Sequence, residues 1–378
     1  MTLFSKIMIL LVVLAMTSCK ETTNYSSGDY TTASSSKNLE ISNAEAETIL
    51  QSILDRYNNG ENLDSSIKAM LRILTSQLSD KYPWQGITLS ETDRQAILLK
   101  RDFYLSEITG ALNSYKFVDG CDGLLFSSLG AVARVPVDLF QAESEKTPGR
   151  WYRSASQDCF KNGESESTIS RDMLLGLALA LQNGGELKAV ERLIKYSIEN
   201  RGIIGEASSE LEQFGRAFMS PSLDAMFHEI QFNLGGEDSD RRGYIPDLSK
   251  DLTGFRAHLQ VLGMILRIRL HGGLFKQDLD ILQNLSSKQD KNALFQSILL
   301  GFKDGQSESR LKKIVSTLLD ESLFPSDRLP SSSDRCEVYL WQRDQGSDDW
   351  QPCPEKKEVH PPVDYLFVSA ILLGDYSL

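Results

Sequence analysis

The sequence contains few of the residues on which common catalytic and metal centres are built. It has four histidines, four tryptophans and five cysteines in 378 residues, and the spacing CxxC does not occur. There is also no GxSxG elbow, no P-loop and no GxGxxG motif. These absences argue against a cysteine-rich zinc site, an α/β-hydrolase and the usual nucleotide-binding folds. We therefore expect no cofactor.

Two segments come close to a metal-binding motif without completing it. His228 and the glutamate after it begin like HExxH, but Phe232 stands where the second histidine would be. Residues 238–249 imitate a calcium-binding EF-hand loop, but Arg242 and Ser249 replace two of its ligands. A polar loop between helices is the better interpretation of this segment, and the sequence predicts no metal site.

Clustered positive charge is also missing. Asp and Glu total 52 against 40 Lys and Arg, so the formal net charge is -12. No stripe of basic residues interleaved with aromatics is visible, and contacts to a phosphate backbone need clustered Lys and Arg. Nucleic acid is therefore not an expected partner.

No apolar run reaches the roughly 20 residues that a membrane-spanning helix needs, but a short run lies close to residue 1. Lys6 precedes the apolar residues 7–16, and Thr17 and Ser18 stand directly before Cys19. This order of basic, apolar and small residues is typical of a secretory signal peptide, which predicts that residues 1–18 are removed.

The end of this segment, Met16-Thr17-Ser18-Cys19, resembles the lipobox of bacterial lipoproteins, with Met16 where that family usually has Leu, Val or Ile. The resemblance implies that Cys19 becomes the first residue and is diacylated with chains such as palmitate. Two acyl chains suffice for stable anchoring. Lys20, where an aspartate would favour the inner membrane, implies the outer membrane if the host is diderm. An ordinary secretory signal with an incidental cysteine is the alternative.

The residues after Cys19 differ sharply in composition from the remainder of the chain. Residues 20–38 are rich in Ser and Thr and have almost no aliphatic side chains. Such a segment cannot bury enough apolar surface to fold, and as a coil it would span roughly 25 Å. We therefore interpret residues 19–38 as a lipidated cysteine with a tether, and residues 39–378 as a single domain. Because Lys6 is the only charged residue in 1–18, cleavage would change the formal charge from -12 to -13.

Lipidation of Cys19 would leave four cysteines, an even number that favours disulfides in an oxidising compartment. We predict the pairs Cys121 with Cys159 and Cys336 with Cys353, because each pair brackets one short segment. Each bridge would contribute about 3 to 4 kcal/mol on the chain-entropy model. A zinc site is the competing interpretation, but no histidine lies within three residues of these cysteines.

Apolar residues recur mostly at helical spacing, for example in residues 49–57, 63–78 and 311–319. Start and stop signals agree with helices; they are Ser42 with Glu45, Ser90 with Asp93, Gly184-Gly185 and Gly272-Gly273. The pattern predicts an all-α domain of about twelve helices. Strand-like alternation is confined to residues 337–342.

Three helical segments, residues 173–181, 259–270 and 366–373, are apolar nearly all round, which is typical of helices inside a large protein. Residues 187–198, directly after the first of them, have one apolar face. Alternating inner and outer helices indicate an (α/α) toroid-like domain, and an irregular helical bundle is the alternative. His258 and His271, on or at the end of such a helix, are expected to be structural.

Residues 119–172 combine acidic, aromatic and basic side chains before an inner helix whose N-cap is predicted at Ser170. Together with the helical layout, this region loosely resembles carbohydrate-active (α/α) toroid proteins, whose clefts use carboxylates as acid and base and tryptophans as sugar platforms. The resemblance implies a carboxylate pair, aromatic platforms and cationic clamps; the candidates are Asp122 and Asp172, Trp151 and Trp341, and Arg153 and Arg171. Helix capping and loop packing by the same residues is the alternative.

Residues 336–362 form a predicted disulfide-stapled loop that contains two of the tryptophans and could serve as a lid or pack against the domain. Three functions agree with the sequence. The first is an envelope lipoprotein, facing the periplasm or the surface, that binds a ligand or maintains the envelope. The second is a carbohydrate-active hydrolase or lyase, and the third is an inert spacer.

Overall fold

The structure is a computed structural model that describes residues 81–111, 123–157, 159, 167–205, 216–236, 254–330, 362–376 and 378. Contacts between residues divide the chain into one unit of residues 1–78 and a second unit of residues 79–378. All the described residues belong to the second unit. The predicted leader, Cys19 and tether lie outside them, as do the EF-hand-like segment and the stapled loop, so these remain predictions.

The second unit is mainly helical, as the apolar spacing predicts. Ten α-helices lie in the described residues: α1 (Glu91–Ala111), α2 (Gly123–Val132), α3 (Arg171–Gly184), α4 (Leu187–Glu199), α5 (Pro221–Asn233), α6 (Gly254–His271), α7 (Lys276–Lys288), α8 (Ala293–Leu300), α9 (Glu308–Leu318) and α10 (Val363–Leu373). Short 3-10 turns cover Leu139–Ala142 and Lys303–Gly305. None of these helices is long and apolar enough to cross a membrane.

Extended structure in the described ranges is limited to two short antiparallel pairs. Strand β1 (Lys81–Pro83) pairs with β4 (Gly273–Phe275), and β2 (Ile203–Gly205) pairs with β3 (Ala217–Phe218). The first pair joins the segment before α1 to the turn between α6 and α7, with Tyr82 opposite Leu274. It therefore fixes residues 81–87 against the helices.

The helix ends follow the signals in the sequence. Ser90 and Asp93 form a reciprocal cap at the start of α1, in which the Asp93 amide donates to Ser90 Oγ at 3.1 Å and Ser90 Oγ donates to the carboxylate at 2.7 Å. Ser170 is the N-cap of α3 by its extended backbone, although its side chain makes no capping bond. Gly185 and Gly272 follow α3 and α6 with φ of 71° and 70°, the left-handed conformation that glycine adopts most easily.

Two classes of helix are present, as predicted. Helices α3, α6 and α10 are buried on nearly all sides, and α2 and α8 are buried in the same way. Helix α4 buries one face, through residues such as Val190 and Leu193, and α9 does the same through Ile314 and Leu318. The buried helices and the inward faces of the others form one continuous hydrophobic core.

Helices α2 and α3 pack closely against each other, and Gly176 allows this close approach. A Cβ atom at this position would lie 2.7 Å from Leu125 Cδ1 and 3.0 Å from the Leu125 carbonyl oxygen. Contacts continue from α3 to α6, from α6 to α7, from α7 to α8, from α8 to α10, and from α10 back to α2. In this closed order of neighbours, each of the six helices contacts the next one, and the last, α10, contacts the first, α2.

Candidate functional site

The toroid resemblance suggested six site residues, of which the structure describes four. Two of these four, Trp151 and Arg153, are buried and make structural contacts. Trp151 is only 1% exposed, and its ring packs 5.9 Å from that of Phe140. Its backbone forms an isolated bridge with Glu143. Because no face of the indole is open, Trp151 does not offer a platform for a sugar ring in this structure.

Arg153 connects three backbone segments rather than facing a ligand. Its Nε donates to the Ser167 carbonyl at 2.8 Å, its amide donates to the Thr168 carbonyl at 3.0 Å, and its own carbonyl accepts from the Leu124 amide at 2.7 Å. The side chain is 6% exposed. Arg153 therefore holds the start of α2 against the segment that leads into α3, instead of acting as the predicted clamp.

An ion pair holds the loop that contains these two residues. Glu143, which is buried, accepts from Arg192 Nε at 2.8 Å and from Arg192 Nη2 at 2.6 Å. The same carboxylate accepts from the Gly149 amide at 2.8 Å, and the hydrogen bond to Glu143 raises the pKa of Arg192. Gly149 has φ of 90°, and a Cβ there would lie 2.1 Å from the Arg192 carbonyl oxygen. The loop is thus fastened to α4 by charge and by close contact.

Arg171 and Asp172 occupy the first turn of α3, where the sequence predicts them. Arg171 is exposed and Asp172 is half-buried. Neither side chain has a hydrogen bond or ion pair with any described residue. Arg171 and Asp172 are thus more accessible than Trp151 and Arg153, which are buried. Asp122 and Trp341 lie outside the described residues.

Only one of the four predicted half-cystines is described. Cys159 is in a disulfide bond, and Ser154 Oγ lies 3.7 Å from its sulfur. The other half of this bridge falls outside the described ranges, so its pairing with Cys121 remains a prediction. The same is true of Cys336 with Cys353.

The histidine and glutamate of the incomplete HExxH motif are buried on α5. His228 Nε2 lies 3.8 Å from Asp224 Oδ1, and both His228 and Glu229 are 5% exposed. On the inner helix α6, His258 is completely buried, and its Nε2 lies 3.0 Å from the side-chain nitrogen Nδ2 of Asn292. Within the described ranges no group of three or more His, Cys, Asp or Glu side chains could hold a metal ion.

Hydrogen bonds lower the pKa of several exposed carboxyl groups, among them Asp290, Glu308 and Glu321. Hydrogen bonds from Lys313 and Lys312 lower the pKa of Asp290 and Glu308. Hydrogen bonds from Ser326 and Lys100 lower the pKa of Glu321 to about 2. A general acid for glycoside cleavage needs the opposite displacement, toward a protonated carboxyl group at neutral pH.

A cleft of about 410 Å³ lies at another part of the domain, between residues 84–87, the first turn of α1 and the end of α10. This volume is within the range of small-molecule sites. Apolar side chains form much of the lining, among them Ile87, Leu373 and Leu378, and Trp84, Arg94 and Tyr376 contribute to it as well.

Trp84 is held at the cleft by its packing on the far side. Its ring meets that of Phe302 edge to face, with centroids 5.5 Å apart and an angle of 84°. A Cβ on Gly301 would lie 2.0 Å from the indole, so the ring rests directly on the glycine backbone. The Trp84 amide donates to the Gly272 carbonyl at 3.1 Å. The aromatic wall of the cleft is therefore fixed in place.

Among the described residues, Arg94 is the one cationic side chain that lines the cleft. It is exposed, and its guanidinium has no hydrogen bond or ion pair with any residue that the structure describes. A charged group without a protein partner at the mouth of a cleft is available to a ligand.

Tyr376 lies in the turn that follows α10. It is 1% exposed, and its hydroxyl group is buried without a hydrogen-bond partner among the described residues. Burial raises the pKa of Tyr376 well above its ordinary value, so the group stays a neutral donor. The Arg269 guanidinium lies 5.6 Å from the centre of the Tyr376 ring.

The cleft was not predicted from the sequence. Trp84, Arg94 and Tyr376 belong to no motif, and nearly the whole length of the domain separates the first from the last. A sequence signal that could have helped to find it is the glycine at position 374, directly after the apolar residues of α10, since glycine often ends a helix. In the structure Gly374 has φ of 78° and ends α10 just before Tyr376. No protein family, curated protein or solved structure shows significant similarity to this chain.

Proposed function

We propose that the chain is a membrane-anchored lipoprotein whose helical domain binds a small ligand in the cleft formed by Trp84, Arg94 and Tyr376. The lipobox-like sequence before Cys19 supports the anchor, and Lys20 supports the outer membrane in a diderm host. The observation that carries the binding function is the cleft itself, because it combines an unpartnered cation, a fixed aromatic ring and an apolar lining. The domain would face the periplasm or the cell surface.

The closed order of neighbouring helices supports the finer architecture of this proposal. Helices α2, α3, α6, α7, α8 and α10 contact one another in sequence and return to α2, which is the neighbour order of an (α/α) toroid-like domain. The interior of this order is filled by aliphatic side chains such as Leu177 and Ile265, both completely buried. The proposed binding site is therefore at the edge of the helices and not at their centre.

A carbohydrate-active hydrolase or lyase is the second candidate. One observation favours it: Asp172 is half-buried at the start of α3 and has no partner among the described residues. The proposal needs Asp122 as the second carboxylate. Activity on soluble glycans that disappears in both Asp122→Asn and Asp172→Asn would support this enzyme, and unchanged turnover in either variant would contradict it.

The anchor is tested by metabolic labelling with a clickable palmitate analogue. We expect the label on the wild-type chain and its recovery in the membrane fraction, and neither in Cys19→Ala. Ser26→Ala, in the predicted tether, is the matched control and should be labelled like the wild type. Mass spectrometry that finds residues 1–18 still attached to a membrane-bound, unlabelled chain would contradict the lipoprotein.

A further inference from the structure

We infer that the ligand of the cleft is a small amphiphilic anion, a carboxylate or phosphate carried on a short hydrocarbon chain. The anionic group would bind the Arg94 guanidinium and accept a hydrogen bond from the Tyr376 hydroxyl, and the hydrocarbon would lie against Trp84 and the aliphatic lining. This inference rests on the proposed binding function and names the chemical class of its ligand.

The charges around the cleft favour an anion although the chain as a whole is acidic. Asp375, which is next to Tyr376 in the chain, already pairs with Arg101 and with Arg134 Nη2, the latter at 2.8 Å. Two guanidinium groups thus neutralise this carboxylate, whereas Arg94, in the lining of the cleft, has no partner among the described residues. A ligand carboxylate or phosphate would complete this set of charges with a charge-assisted, bidentate hydrogen bond.

Arg134, one of the two arginines that pair with Asp375, has an uncommon backbone conformation. It has φ of 70°, a left-handed backbone that a residue other than glycine rarely adopts. Its side chain is 64% exposed, yet it reaches the carboxylate of Asp375. Because two arginines already pair with Asp375, this carboxylate does not compete with a ligand for Arg94.

The Tyr376 hydroxyl supplies a second, independent argument. A buried polar group without a hydrogen-bond partner costs the protein about 1 to 3 kcal/mol, and most such groups in native proteins are satisfied. Tyr376 is one of the residues that line the cleft, and a ligand oxygen that reached its buried hydroxyl would give that hydroxyl an acceptor. An ammonium group has no lone pair with which to accept this hydrogen bond, whereas a carboxylate or phosphate oxygen accepts it readily.

The aliphatic and aromatic lining requires a second part of the ligand. Trp84, Ile87, Leu373 and Leu378 offer an apolar surface beside the two polar groups. An inorganic ion would leave this surface in contact with water, whereas a short hydrocarbon would bury it at roughly 0.8 kcal/mol per CH₂. An amphiphile therefore matches both parts of the cleft.

Isothermal titration calorimetry with octanoate and octyl phosphate tests this inference on the chain from residue 19 onward, made with Cys19→Ala so that it carries no lipid. Octanol and inorganic phosphate supply the tail and the head separately. We expect both amphiphilic anions to bind the wild type at least tenfold more tightly than either part. Arg94→Gln should weaken octanoate about tenfold, the loss of one charge-assisted contact, and should change octanol less than twofold.

Arg256→Gln is the matched control, because Arg256 is also an exposed arginine in the first turn of a helix. It should bind octanoate like the wild type. Tyr376→Phe gives a second readout that a structural role alone would not produce. Loss of the unpaired hydroxyl should leave the thermal stability of the ligand-free chain equal or higher, while octanoate binds about threefold to tenfold more weakly.

The outcomes separate the inference from the function on which it rests. Equal binding of octanoate and octanol, with no effect of Arg94→Gln, would overturn the anionic ligand and leave an apolar binding cleft. Inorganic phosphate that binds as tightly as octyl phosphate would overturn the amphiphile. If none of the four compounds binds, both the inference and the proposed binding function fail.

Discussion

Arg267 and Asp278 form the most deeply buried ion pair among the described residues. Arg267 Nη1 donates to Asp278 Oδ1 at 2.6 Å, and the two side chains are 3% and 1% exposed. Burial lowers the pKa of Arg267, and the carboxylate of Asp278 acts in the opposite direction. Asp278 also lies in the first turn of α7, where the helix dipole favours a negative charge.

Removal of one partner of this pair should be strongly destabilising. We expect Asp278→Ala to reduce the free energy of unfolding by about 3 to 5 kcal/mol, because the guanidinium would remain buried without its counter-charge. Asp280→Ala is the control on the same helix: its exposed pair with Lys276 should be worth less than about 1 kcal/mol. Urea denaturation measures both. If Asp278→Ala and Asp280→Ala lost the same free energy of unfolding, burial would not account for the contribution of the Arg267–Asp278 pair.

Glu321 should contribute to the acid sensitivity of the domain. Its hydrogen bonds from Ser326 and Lys100 lower its pKa from 4.5 to about 2. A carboxyl group with a depressed folded-state pKa stabilises the protein above its unfolded value, and this stabilisation is lost as the pH falls through the folded value. We expect Glu321→Gln to be less stable than the wild type at pH 6, and the difference to shrink between about pH 4.5 and about pH 2.

Urea midpoints across this pH range measure that difference. Because the carboxylate of Glu321 is 62% exposed, solvent reduces its effect, so the shape of the pH dependence is more informative than its size. Glu145 is an exposed glutamate without a partner among the described residues. For Glu145→Gln, the stability difference from the wild type should not shrink toward low pH. A gap for Glu321→Gln that widens toward low pH would contradict the assignment.

At the scale of secondary structure, two helical glycines should respond in opposite ways to the same substitution. At Gly176, between α2 and α3, a new Cβ meets the Leu125 backbone and side chain, and the overpacking should cost about 1 to 3 kcal/mol. At Gly263, within α6, the nearest atom to a new Cβ is Met226 Cε at 3.7 Å, an ordinary contact. Gly263→Ala should therefore stabilise the domain by about 0.5 to 1 kcal/mol through helix propensity.

Thermal unfolding of the two variants gives the comparison directly. The pair is informative because the substitution is identical and both positions lie inside helices. A lower midpoint for Gly176→Ala and a higher one for Gly263→Ala would support the close packing of α2 on α3. If Gly176→Ala were neutral, the two helices would have to be farther apart than described.

The sequence predicted the helices better than it predicted their ends or their roles. The all-round apolar residues of α3, α6 and α10 identified the interior correctly, because burial on every side leaves no room for polar positions. The cap at Ser170 was placed correctly, but its side-chain bond is absent. The short strand pairs, such as β1 with β4, were missed since three residues are too few to show alternation.

At the scale of the whole molecule, the candidate site was the least predictable feature. The acidic and basic residues near Trp151 in the sequence favour an exposed ring, yet the ring packs against Phe140 and is buried, and its backbone bridges to Glu143. Arg94 carries no signal in the sequence, because nothing there shows that its described neighbours leave the guanidinium without a partner. Both facts depend on how distant segments pack together, which local composition does not contain.

The packing of Trp84 on Gly301 means that the width of the cleft depends on a residue outside its lining. A side chain at position 301 would displace the indole ring, because the position of its Cβ is already occupied by ring carbons. Any homologue that retains the tryptophan wall in this position should therefore retain glycine there. That covariation offers a criterion for recognising relatives that share the pocket, even where the groups that select its occupant have changed.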